Sequence, residues 1–210
     1  MSTKINKKTC VIIFLFALLT TIFSSNNTAW SYEGEAATVE QYVRAIEAKS
    51  RATASNSSLN SAQKVEKLSS IFLDVVDTEW MAKFAMGKSW NSISSTDQQK
   101  YLNAYRKYLV RSYADKFSKY TGQAVTINAI SPSTNQQFMV DTTITLNGQP
   151  FVISYRCKLY SPDNIKIRDI TAEGISLLST QRSEFNSLIS QRGFDGLIEA
   201  LNNNSQPIQR

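Results

Sequence analysis

The stretch from Ala124 to Thr171 constrains this chain most, because it reads as four strands in succession with a turn after each. Phe138, Val140, Thr142, Ile144 and Leu146 alternate with Met139, Asp141, Thr143 and Thr145. A period of two sends one set toward a core and the other toward water. Asn147-Gly148 follows, a dipeptide that readily takes positive φ at both centres of a tight hairpin. On the return, Phe151, Ile153, Tyr155, Cys157 and Leu159 face one way; Ser154, Arg156, Lys158 and Tyr160 face the other. Ser161-Pro162-Asp163-Asn164 makes the next turn, and Ile165 and Ile167 then alternate with Lys166 and Arg168. Val125, Ile127 and Ala129 give a shorter first strand that ends at Ser131-Pro132. The pattern predicts an α+β fold. Its antiparallel four-stranded curved meander has one apolar, aromatic-rich face and one basic face, and helices on either side in sequence cover the apolar one.

Those helices are legible too. Ala36–Ala54 carries Val39, Tyr42, Val43 and Ile46 at helical spacing and fades into a Ser/Asn-rich loop. A second helix spans about Ser61 to Val76, with Val65, Leu68, Phe72, Val75 and Val76 as its stripe. Asp77 reads as the N-cap of a short helix, Thr78–Met86, stopped by Gly87. The longest helix follows, with Ser95 as N-cap and Gln98 at capping-box spacing, or with Ser94 or Thr96 in that place. Leu102, Tyr105, Leu109, Tyr113, Phe117 and Tyr120 line one face of it, before Gly122. Such a stripe is either core packing or the wall of a ligand cavity, and aromatic stripes more often mean core. Two closing helices, about Ser179–Gln191 and Phe194–Leu201, are separated by Gly193.

Lys4, Lys7 and Lys8 precede the apolar run Cys10–Phe23, which is short for a membrane span and reads as a secretory leader cut after Ala29 or nearer Ser25. Without those lysines the net charge falls from +6 to +3, with 20 basic and 17 acidic residues. That balance and the absence of an RNA-binding signature argue against nucleic acid as a partner. Cys157 is the one cysteine beyond the leader, so no internal disulfide is available there. The chain of 210 residues has no histidine, which removes imidazole metal sites and histidine-assisted nucleophiles. No metal-ligand spacing or phosphate loop is present, so no cofactor is expected.

Asp141, Asp169 and Glu173 are the candidates for acid–base work. A lone carboxylate without a partner is weak support for catalysis, and Glu173 is placed to satisfy backbone amides where strand becomes helix. What remains is a curved sheet with large apolar groups, able to enclose a cavity that suits a lipid.

Several segments resemble a known family. Trp80-Met81-Ala82-Lys83-Phe84-Ala85-Met86-Gly87-Lys88-Ser89-Trp90 is similar to a block of the MlaC-type (toluene-tolerance) periplasmic phospholipid carriers. Ser95–Tyr101 resembles the opening of that family's long helix, with Tyr in a Phe place. Ile167-Arg168-Asp169-Ile170-Thr171-Ala172-Glu173-Gly174-Ile175-Ser176-Leu177-Leu178 resembles its Y-D-V-x-x-E-G-V-S-L junction, with Arg168 where an aromatic is common. Gln181–Phe185 and Gly193–Leu197 match its closing helices.

The resemblance implies a cavity fold somewhat like the nuclear transport factor folds, with phospholipid tails inside and the headgroup outward. It implies a periplasmic monomer that is not an enzyme. Its partners would be an outer-membrane lipoprotein–porin complex and an inner-membrane MCE-type ABC transporter. On this reading residues 1–29 are a signal peptide, 30–204 a single lipid-binding domain and 205–210 a disordered tail. The expected tail-binding positions are Phe72, Val76, Trp80, Met81 and Phe84, then Tyr105, Leu109, Tyr113 and Phe117. From the sheet and its exit come Phe138, Val140, Ile144, Ile153, Tyr155 and Ile175. Arg106, Lys107, Arg111, Arg156, Lys158, Lys166 and Arg168 are either docking charges or solvated surface. Two alternatives stand beside the phospholipid carrier: a binder of a hopanoid- or sterol-like ligand, and a cone-fold enzyme. A pure interaction module with a filled core is a third class.

Overall fold

The computed structural model describes residues 26–146 and 148–203, with the backbone alone for 26–31. The leader expected over 1–29 lies outside the described residues up to 25, and the tail expected over 205–210 lies outside them altogether. The order is α1 (Asn26–Ala54), α2 (Ser61–Val75), α3 (Thr78–Met86), a 3-10 segment (Gly87–Ser92), and α4 (Ser95–Lys119). The strands are β1 (Val125–Ser133), β2 (Gln137–Leu146), β3 (Gln149–Ser161), β4 (Asn164–Ala172) and β5 (Ile175–Ser176), and α5 (Leu177–Asn203) closes the chain. All neighbours in the sheet β1-β2-β3-β4-β5 are antiparallel. The meander therefore has five strands instead of four. The fifth is the two-residue return after Glu173 and Gly174, whose φ values of 48° and 81° make a tight turn between Ala172 and Ile175.

The alternation in β2 holds: Phe138, Val140, Thr142 and Ile144 are buried. Thr142 is the polar member of this set, and its hydroxyl donates to the Ile153 carbonyl at 2.7 Å. β1 runs through Pro132 to Ser133 and does not stop at Ser131. Pro is tolerated because β1 is an edge strand. The other exposed edge, the first half of β4, is covered by the link between α2 and α3. Val76 bridges Ile167, and the Asp77 amide donates to the Ile167 carbonyl at 2.8 Å.

The helix caps follow local chemistry. Asp77 caps α3 by accepting from the Trp80 amide, and Gly87 leaves it at φ 62°. α4 is capped by Ser94, whose side chain accepts from the Asp97 amide. Gln98, expected to close a box with Ser95, instead donates to the Trp90 carbonyl at 3.1 Å. Asn60 and Gln63 form a reciprocal capping box at the start of α2. α5 breaks at Gly193, φ 68°, into the two helical pieces expected. α1 extends back to Asn26, well ahead of Ala36.

Candidate functional site

The inner face of the sheet and the helices over it form one continuous apolar cluster. Phe72 and Val76 of the α2 segment, Met81 of α3, and Tyr105, Leu109 and Tyr113 of α4 meet Phe138 and Val140 of β2 there. Trp80, Phe84, Phe117 and Tyr155 pack against it, half-buried. Ring contacts fix the geometry: Phe72 lies 4.7 Å from Tyr113 and 5.7 Å from Phe117, and Trp80 stacks on Phe84 at 5.2 Å. Three expected positions stand apart from the cluster. Ile144 is buried outside it, Ile153 is half-buried, and Ile175 is 63% exposed on β5. The sequence reading expects a partly hollow interior; here Met81, Tyr105, Leu109, Phe138 and Val140 are at most 2% exposed.

α5 adds core residues that sequence reasoning missed. Phe185, Leu197 and Leu201 are almost wholly buried, and the Phe185 ring meets Tyr105 and Tyr108 edge-on at 6.1 and 5.6 Å. Their signal was present, since Leu178, Gln181, Phe185 and Leu188 fall three or four residues apart. Gln181 is the polar member of this stripe. It is buried, and its carbonyl oxygen accepts from the Tyr105 hydroxyl at 2.7 Å. The Tyr101 hydroxyl donates to the Ala82 carbonyl at 2.9 Å.

The interior is polar in places and neutral throughout its phenols. Burial raises the pKa of Tyr101, Tyr105 and Tyr113 above the ordinary phenol range, and pushes Tyr155 up to about 12. Burial also raises the Cys157 thiol to about 12, so it sits in the core as a small apolar group. Apolar walls with a few neutral hydroxyls can hold acyl chains without desolvating a charge.

The three carboxylates considered for catalysis have structural partners. Asp141 accepts from the Ser154 hydroxyl at 2.6 Å. Asp169, buried, accepts from the Ser176 hydroxyl at 2.7 Å and the Leu178 amide at 3.2 Å, so it anchors the start of α5. Glu173 was expected to take that helix-start role. It instead accepts from the Val152 amide at 2.6 Å and steadies the β4–β5 turn. Among the described residues no group of three His, Cys, Asp or Glu side chains could hold a metal ion.

Several expected docking charges are engaged in the fold. Lys158 donates to the Asn135 carbonyl, Lys166 to the Asp74 carbonyl, and Arg111 to the Leu201 carbonyl. Arg168 bonds Asp77 and Tyr160 and lies 4.4 Å over the Trp80 ring. Arg106 and Lys107 are exposed. A groove of about 370 Å³ runs between α1 and β1, lined by Glu33, Ala36, Ala37, Glu40 and residues 127–130. None of the expected tail-binding residues lines it.

A profile of the MlaC protein family matches residues 38–203. Among solved structures the fold is similar to a phospholipid-binding protein from Ralstonia solanacearum in complex with a phospholipid. The two share 26% sequence identity and a TM-score of 0.65, over 79% of this chain and 93% of that one. The family match covers all five strands and nearly all of the helical cover, and the chain belongs to the MlaC protein family.

Proposed function

We propose that this chain is a periplasmic phospholipid carrier, reaching that compartment through a cleaved leader. It passes lipid between an outer-membrane lipoprotein–porin complex and an inner-membrane MCE-type ABC transporter. The observation that carries the reading is the phospholipid bound by the Ralstonia relative, whose chain is matched over 93% of its length. The neutral aromatic interior described above is consistent with it.

A two-tailed lipid exposes roughly 30 methylenes to water, at a cost on the order of 20 kcal/mol. A carrier lowers that barrier by offering an apolar environment, and no bond need change. The buried cluster described above has to part for loading. Side chains that then leave one another regain contact with methylenes, so the exchange is apolar for apolar and its free energy is small beside exposure to water.

The test is to purify the chain without added lipid, extract it and analyse the extract by mass spectrometry. Phospholipid in the extract, and uptake from vesicles after delipidation, are expected. No co-purified phospholipid together with no uptake defeats the reading.

A further inference from the structure

The inner face of the sheet continues past its helical cover. Along β2, Phe138, Val140 and Thr142 are at most 1% exposed, Ile144 is 8% exposed and Leu146 is 38% exposed. The register carries this end across every strand. Val125 and Phe151 stand opposite Ile144, Ile153 opposite Thr142, Ala172 opposite Ile153, and Ile175 opposite Ala172. Directly opposed residues share a face. None of these positions is ionisable. Five large apolar residues are exposed among the described residues, and Leu146 and Ile175 of this face are two of them. Scattered exposed apolar groups are ordinary, whereas a cluster continuous with a core marks a place where something apolar binds.

We propose that this uncovered end of the sheet is the mouth through which the acyl chains of a phospholipid pass between a membrane and the interior. The proposal rests on the carrier reading and gives it a route. A chain sliding along an uncharged strand face exchanges water for protein a methylene at a time, so it is never wholly exposed. The groove between α1 and β1 is the rival route. Its rim carries Glu33 and Glu40, with Glu40 paired to Arg44 at 2.7 Å, and a tail crossing there must desolvate charge.

The test follows uptake of a fluorescent phospholipid from phosphatidylethanolamine–phosphatidylglycerol vesicles by the delipidated chain. Leu146→Asp and Ile175→Asp are combined in one variant; Ser133→Asp, at the other end of β1, is the control. The double variant should load about tenfold more slowly or worse, because each carboxylate must be desolvated in the path, and should reach the same final occupancy. Loading within about twofold of the unaltered chain overturns the mouth. If the double variant does not fold, the unaltered chain is loaded with a phospholipid bearing a diazirine on the first carbons of its acyl chain. Photolabel on residues 144–153 and 172–177 supports the mouth, and label confined to residues 33–40 and 127–130 overturns it. An unaltered chain that takes up no lipid defeats the carrier itself, and the mouth falls with it.

Discussion

Arg168 donates from Nε to Asp77 Oδ2 at 3.0 Å, although the two residues are 91 positions apart. Both side chains are largely buried, at 13% and 16% exposure. The same carboxylate group caps α3 through the Trp80 amide, and the guanidinium carbon lies 4.4 Å from the centre of the Trp80 ring. One ion pair thus fastens the start of α3 to β4.

Removing that carboxylate deletes the cap and leaves a partly buried cation. Asp77→Ala is expected to cost about 3 kcal/mol in urea unfolding, and Asp77→Asn, which can still cap, about 1–2 kcal/mol. Combined with Arg168→Met, Asp77→Asn should show a coupling of about 1–2 kcal/mol. Additive effects in that cycle would mean the pair does not hold the two elements together.

The buried Tyr105–Gln181 bond gives a second test. Tyr105→Phe strands the Gln181 carbonyl oxygen and should destabilise by about 1–2 kcal/mol. Gln181→Leu in the Tyr105→Phe background removes the orphan and should recover most of it. Thermal unfolding of the two variants separates this from a simple loss of packing.

Alkaline pH should weaken the fold. Tyr155 and Cys157 are raised from 10.0 and 9.0, each to about 12, by burial. As pH rises, the unfolded chain therefore loses these protons first, and stability falls. The contribution is whole below about pH 9 and disappears progressively toward about pH 12. Unfolding temperature measured across this range should decline, and Cys157→Ala should flatten the lower part of the decline. A flat profile would contradict the burial of these groups.

The β4–β5 turn makes a backbone prediction. Gly174 has φ 81° and open space where a Cβ would stand, so Gly174→Ala carries only the left-handed penalty, about 1 kcal/mol. Gly174→Asn should cost less, and equal costs measured in urea would argue against a turn of this hand.

Ile153 tests the inner face directly. It is half-buried beside Thr142, opposite Ala172. Ile153→Asp should leave a folded chain that retains about tenfold less phospholipid on purification, measured by mass spectrometry. Full retention would remove β3 from the lipid path.

Much of this architecture is written in short-range pattern. The alternation of β2, the cap at Asp77, the stop at Gly87 and the break at Gly193 are all local, and all are visible in the sequence. The cap of α4 was ambiguous because Ser94, Ser95 and Thr96 offer the same chemistry; the bond from Gln98 to the Trp90 carbonyl accompanies the choice of Ser94. The strand at Ile175–Ser176 was hidden because two residues have no period. Arg168 looked like a free surface charge because its partners, Asp77 and Trp80, come from α3 and its cap, far away in sequence. Gln181 broke an apolar stripe, and only the distant Tyr105 hydroxyl explains why it is buried.

Two attachments described above lie on a single strand. Arg168 ties β4 to α3, and one residue later Asp169 ties β4 to α5. Like pages sewn to one spine, α3 and α5 share a seam along β4, so a displacement that parts either helix from the sheet must turn about that seam or tear its stitching.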